Sequence, residues 1–182
     1  MKGTRVLSGE EVKALLGGLQ ARDRLLALSG LDFGLRVSEI LSLTFGAVAG
    51  PHLYVHSSKG SDSAVFPIPD AYREAVETVR GDYLGKGIEV GPNTPLFISR
   101  NGTTMTRQAA SQIIKAACAI LGLEGKVNTH SFRKTFVTRI YEMTDFNIAA
   151  TKRYSRHKSL ANLDYYIATT NTTDLVKELN WG

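Results

Sequence analysis

A charge that cannot be lost falls inside the apolar face of a helix, and it does so at two places in this chain. The stretch 129–141 reads Thr-His-Ser-Phe-Arg-Lys-Thr-Phe-Val-Thr-Arg-Ile-Tyr. At helical spacing Phe132, Phe136, Val137, Ile140 and Tyr141 form one arc, with Arg133 within it and His130 near its edge. On a wheel of residues 36–44, Arg36 falls between Leu43 and Ile40, and Glu39 lies beside the same arc. A guanidinium stays ionised at any pH a protein meets, and burying it without a partner is very costly. A fold that accepts this sequence must therefore bring each arginine to a cleft where it meets an anion. That anion is either a carboxylate such as Glu39 or a ligand. Two such arginines and His130 in one short chain favour an oxyanion site, because guanidinium forks match phosphate geometry bidentately.

The chain has 182 residues, enough for one domain with a sizeable core, and a single domain spanning 1–182 is expected. With 43% apolar and 21% charged residues, wholesale disorder is excluded. Its one cysteine, Cys118, excludes an internal disulfide and a Cys-based zinc cluster, and its apolar helical context marks it as core. No apolar run approaches the ~18 residues of a membrane span, and the first twenty residues hold no signal-peptide apolar region, so a soluble cytoplasmic protein is expected. A net charge of +5 suits a polyanionic partner without requiring one.

The periodicity predicts a mainly α fold with a small antiparallel β-sheet, an α+β architecture. Ser8 and Glu11 read as a capping box opening a helix through Val12, Leu15, Leu16 and Leu19. Further helices are expected over about 22–33, stopping near Gly34, over 37–43 and over 70–83. Others follow at 106–121, 129–141, 146–153, 160–168 and 173–179. Two apolar stretches, 52–56 and 64–68, flank the Gly/Ser/Asp-rich turn 57–62 and read as a hairpin, with Pro67 pointing to an edge strand. The Gly/Pro-rich stretch 85–95 reads as a loop. His52 and His56 flank the hairpin strand and read as structural or surface residues.

Two further features bear on function. Residues 151–158 carry Lys152, Arg153, Arg156 and Lys158 with His157 and no acid, the footprint of a nucleic-acid backbone beside a phosphate pocket. In the following stretch, 160–167, Tyr166 borders the apolar side and Tyr165 points away from it. A tyrosine so held can serve as a covalent nucleophile if its phenol is activated.

Together, Gly34-Leu-Arg-Val-Ser-Glu-Ile-Leu41, Lys59 in Ser-Lys-Gly, His130-Ser-Phe-Arg133, His157 and Tyr166 nine residues later resemble the catalytic set of the tyrosine recombinases, the phage-integrase family. The stretch from Pro95-Leu-Phe to Met105-Thr-Arg-Gln, which includes Arg107, is similar to that family's segment before its long central helix. The resemblance implies the family's catalytic-domain fold and a site-specific recombinase or integrase. In that reading Arg36 and Arg133 clamp the scissile phosphate, and Tyr166 attacks it to form a 3′-phosphotyrosine. Lys59 is the general acid for the 5′-oxygen, His130 transfers a proton or contacts phosphate, His157 donates to phosphate, and Glu39 orients its neighbours. Lys134, Lys152, Arg153, Arg156, Lys158 and Arg107 are the expected DNA contacts. The resemblance further implies double-stranded DNA as partner, a tetramer of protomers on two sites, a monomer in free solution, accessory bending proteins, and no metal or other cofactor. A non-catalytic DNA-binding protein, or strand cleavage of the type IB topoisomerase kind, would use the same fold. The chain departs from the family in having Ser155-Arg-His157 where Leu-Gly-His is usual. It also begins at the catalytic domain, as a single-domain member or a piece of a longer protein would.

Overall fold

The computed structural model describes residues 4–57, 61–159 and Leu163. Helix α1 (Gly9–Gly18) opens with the expected box: Ser8 Oγ accepts the Glu11 N–H, and the Glu11 carboxylate accepts the Ser8 N–H. Helix α2 (Ala21–Phe33) follows at once and forms the centre of the core, with Leu25, Leu26, Ala27 and Phe33 buried. It ends at Gly34, which adopts the left-handed conformation (φ 60°) that an L side chain resists. Residues 35 and 36 then run to α3 (Val37–Leu41).

The hairpin is present as β1 (His52–Val55) and β2 (Ala64–Pro67), antiparallel, with Leu53 opposite Phe66 and Pro67 opposite His52. Its inward residues Leu53 and Val55 join the core, and Phe66 packs against Phe33. Helix α4 (Asp70–Leu84) buries Tyr72, Val76, Val79 and Tyr83 against α2. The ring of Tyr72 meets Phe33 edge-on at 4.8 Å, and its hydroxyl lies 2.7 Å from Ser29 Oγ. The loop after α4 is anchored by Tyr83, whose hydroxyl donates to the Leu96 carbonyl and accepts the Ile98 N–H. Leu96 and Phe97 are fully buried within it.

Helix α5 (Arg107–Ile120) is capped by Thr106 and buries Ala110, Ile114 and Cys118. Helix α6 (Thr129–Met143) packs along α2 so closely that a β-carbon on Gly30 would stand 2.7 Å from Phe132 Cβ. The N-terminal segment lies on α6, with the Leu7 N–H donating to Thr135 Oγ1. Helix α7 (Ile148–Ser155) begins two residues later than its periodicity suggests. Asp145 and Phe146 both have positive φ, and the Asn147 side chain supplies the cap by accepting the Ala150 N–H. Leu163 is helical and packs against Phe136 and Val137. The expected helix 173–179, and the rest of 160–168, lie outside the described residues.

Candidate active site

The site is assembled where α2 ends, α3 and α6 begin, the hairpin turn returns and α7 ends. Arg36 corrects the wheel reading. It precedes α3 in extended conformation (φ −74°, ψ 152°) rather than sitting on a helical face. The left-handed Gly34 stops α2 and the chain needs residues 35 and 36 to turn, so helical periodicity does not apply there. Arg36 nevertheless faces partners. Its Nη1 donates to Ser61 Oγ and lies 3.7 Å from Glu39 Oε1. Glu39 Oε2 accepts the Arg36 backbone N–H at 2.8 Å, which ties the carboxylate to the start of α3.

Arg133 is buried on α6, 1% exposed, as its arc position requires. It donates from Nη1 to the Gly34 carbonyl and from Nη2 to the Ser155 carbonyl and to His157 Nε2, both at 3.2 Å. With Nε2 accepting, the His157 ring proton sits on Nδ1, 2.8 Å from Ser155 Oγ. Burial, reinforced by Arg133, Arg36, His130 and Arg156, pushes His157 down to about 3, so its imidazole is neutral. Packing around His130 and the charges of Arg133, Arg36 and Lys134 lower that ring as well. Arg36, Ser38, Arg107, Thr129 and His130 line a common cleft of about 220 Å³.

The expected DNA contacts divide into two groups. Arg107 lines the cleft, Arg153 and Lys158 are exposed and Lys152 is half-buried. Lys134 and Arg156, by contrast, are buried. Lys134 Nζ donates to the Thr4 carbonyl, and Arg156 bonds Glu39 Oε1 and Oε2 at 3.2 and 3.4 Å. Both face inward where an outward backbone contact is expected, because the polar groups they satisfy come from segments distant in sequence. Lys59 and Tyr166 lie outside the described residues. Two site residues carried no sequence signal beyond turn and cap chemistry: Ser61, fully buried and bridged to His157, and Ser155 beside the His157 ring. Among the described residues no group of three or more His, Cys, Asp or Glu is placed to hold a metal ion, and no helix is long and apolar enough to cross a membrane.

The sequence model described as "Phage integrase family" matches residues 5–172. The chain is 26% identical over 175 residues to tyrosine recombinase XerD of Halalkalibacterium halodurans, covering 92% of this chain and 58% of that protein. It is 30% identical over 166 residues to probable integrase/recombinase YoeC of Bacillus subtilis, covering 90% and 87%. The crystal structure of XerH site-specific recombinase bound to difH substrate, a pre-cleavage complex, superposes with a TM-score of 0.71 at 19% identity, covering 96% of this chain and 52% of that one. The mainly helical fold with its small antiparallel sheet is thus shared with tyrosine recombinase catalytic domains. The chain spans little more than half the length of the XerD relative.

Proposed function

Because the chain belongs to the phage integrase family, we propose that it cleaves and rejoins double-stranded DNA as a site-specific recombinase, acting in the cytoplasm on a mobile or invertible element. The observation that carries this is the fixing of Arg133 against His157 beside a cleft lined by Arg36 and His130. Such a cluster is suited to an oxyanion that gains charge during reaction.

In this reading the Tyr166 phenol oxygen attacks phosphorus as the phosphorus–O5′ bond breaks. The Tyr166 proton passes to His130, whose ring is favoured in its neutral form by burial and by the neighbouring cations. Lys59 gives a proton to the departing 5′-oxygen. Arg36 and Arg133 hold the non-bridging oxygens through the pentacoordinate state. A 5′-hydroxyl from a second site then attacks the 3′-phosphotyrosine and restores the diester, so no ATP is consumed, and the arginines do the work that metal ions do elsewhere. Exchange between two sites requires four protomers, assembled from monomers on DNA. Arg107, Lys152, Arg153 and Lys158 supply backbone contacts.

The test is a duplex nicked near the cleavage position, whose short 5′-fragment diffuses away and traps the covalent complex. The wild-type protein forms a denaturant-resistant adduct in EDTA, Tyr166→Phe binds DNA without forming it, and Tyr165→Phe retains it. DNA binding with no adduct from the wild-type chain on any substrate makes it a binding protein on a shared fold.

A further inference from the structure

Arg156 adopts the left-handed conformation, φ 62° and ψ 25°, at the end of α7. A residue with a β-carbon is disfavoured there, and glycine is not. The side chain is nevertheless almost wholly enclosed, 2% exposed. Its guanidinium spans three segments. Nε donates to the Asp62 carbonyl at 2.8 Å, Nη2 reaches the His56 carbonyl at 3.5 Å, and both terminal nitrogens meet the Glu39 carboxylate. The backbone adds to this: the Asp62 N–H donates to the Arg156 carbonyl, and Ser61 bridges His157. Glu39 in turn holds the Arg36 N–H, and Arg36 holds Ser61. A closed circuit therefore runs from Arg156 through Glu39, Arg36 and Ser61 back to the residue after Arg156.

His56 and Asp62 are the two ends of the turn that carries Lys59. One guanidinium thus holds both ends of that turn and joins them to the carboxylate at the start of α3. We infer that Arg156 is a positioning residue, which fixes the base of the Lys59 turn relative to Arg36 and so sets where the general acid meets the leaving oxygen. The inference rests on the recombinase reading for what Lys59 does, but its mechanical part stands on contacts among the described residues. A run of basic residues next to an active site would ordinarily be assigned to DNA. Of the lysines and arginines in this run Arg156 alone belongs to the protein's interior, whereas Arg153 and Lys158 are exposed.

Arg156→Gly is the informative variant. Glycine accepts the left-handed backbone, so the turn at the end of α7 is kept and only the guanidinium is lost. Two measurements decide. Amide hydrogen exchange in peptides covering 56–63 should speed at least tenfold, with α2 and α5 unchanged. Adduct formation on an ordinary nicked duplex should fall tenfold or more, while a 5′-bridging phosphorothiolate substrate, whose sulfur leaves without a proton, reacts within threefold of wild type. DNA affinity should stay within twofold. Arg156→Lys keeps one charge without the fork, and it should remain defective on the ordinary substrate if position matters rather than charge. Equal slowing on both substrates, full activity on both, or unchanged exchange in 56–63 would overturn the inference. If the wild-type chain forms no adduct on either substrate, the recombinase reading fails and with it the role of the turn, while the exchange measurement still decides whether Arg156 holds it.

Discussion

Replacing Gly34 with alanine should cost more than any other single-methyl addition in the protein's helical core. Two penalties coincide there. At φ 60° an L residue loses roughly 1–2 kcal/mol relative to glycine. The new β-carbon would also stand 2.4 Å from Phe136 Cδ1 and 2.7 Å from Cε1, far inside van der Waals contact. The ring cannot simply swing away, because Phe136 is itself buried against Val137 and Leu163. Overpacking of this kind costs about 1–3 kcal/mol. The expected loss is therefore about 2–5 kcal/mol, or roughly 4–20 °C in Tm for a chain of this size. Gly34 also offers its carbonyl to Arg133, so a shift of the α2 terminus should reduce adduct formation beyond what lost stability explains. Thermal and urea unfolding of Gly34→Ala, Phe136→Leu and the double variant would separate the penalties. The ring clash should appear as a coupling of about 1–3 kcal/mol, since leucine lacks the ε-carbon and the rigid ring plane, and its δ-carbons can adopt another rotamer. Gly30→Ala is the control. Its β-carbon would meet Phe132 at 2.7 Å, but helical geometry there brings a gain of about 1 kcal/mol that offsets part of the clash. A Gly34→Ala melt within about 2 °C of wild type, with coupling below about 0.5 kcal/mol, would refute the reasoning.

Acid should weaken the fold in two overlapping windows. His157 binds a proton in the unfolded chain near 6.5 but only near 3 when folded, so stability is complete above pH 6.5 and falls on acidification towards 3. That amounts to about 2 kcal/mol by pH 5, with His130 acting in the same direction; urea midpoints that stay level from pH 6.5 to 5, or a His157→Gln profile as steep as wild type, would contradict it. Glu11, held at about 2 by the Arg5 guanidinium and the Ser8 N–H, contributes stability present above its unfolded value of 4.5 and lost as pH falls through 2. Arg5→Ala should cost about 1 kcal/mol in a melt at pH 7 and Glu11→Ala somewhat more, because the latter also removes half of the α1 cap; equal losses would argue against the cap. For DNA binding, Lys158→Ala should lower the slope of log affinity against log salt by about 0.9, whereas Arg156→Gly should leave it unchanged. An equal drop in slope for the two variants would mean that Arg156 reaches the backbone after all.

Much of this architecture was legible in local pattern. The Ser8–Glu11 box, the arcs of α2, α4, α5 and α6, the hairpin around 57–62 and the stop at Gly34 all follow from interactions within a few residues. The burial of Arg133 was legible too, because an arginine between Phe132 and Phe136 on one helix has nowhere else to go. What local pattern could not carry were pairings across the chain. Glu39 and Arg156 are 117 positions apart, so the acid-free run 151–158 reads as one outward nucleic-acid footprint although one of its members is interior. Helical spacing over 36–44 fails at Arg36, because the left-handed Gly34 two positions before it ends α2 and Arg36 itself is extended before α3 begins. The start of α7 was missed by two residues because Asn147 caps more effectively than apolar spacing alone reveals. Leu96 and Phe97, fully buried, directly follow the 85–95 stretch that reads as loop, and no periodicity around them marks them as core.

The contacts of Arg133 explain how the fold carries a buried cation that is still available to an anion. Its two carbonyl acceptors are not arbitrary: Gly34 is the C-cap of α2 and Ser155 is the last residue of α7. Helix C-termini carry orphan carbonyls and roughly half an elementary negative charge each. Two of them converging on one guanidinium offset much of its burial with dipoles that are fixed by the backbone and cannot be titrated. Compensation by dipoles differs from compensation by a carboxylate. A carboxylate would compete directly with a phosphate for the fork and would switch with pH, whereas a dipole pair orients the guanidinium and leaves a field that still attracts a full negative charge. Arg36, more exposed and paired with Glu39, is held by the other means, and Glu39 is itself drawn towards Arg156. The carboxylate's field is thus shared between two arginines. On this account the site stays cationic because its counter-charges are partial at Arg133 and divided at Arg36, and a lysine at 133, with one compact charge and no fork, could not satisfy both helix ends at once.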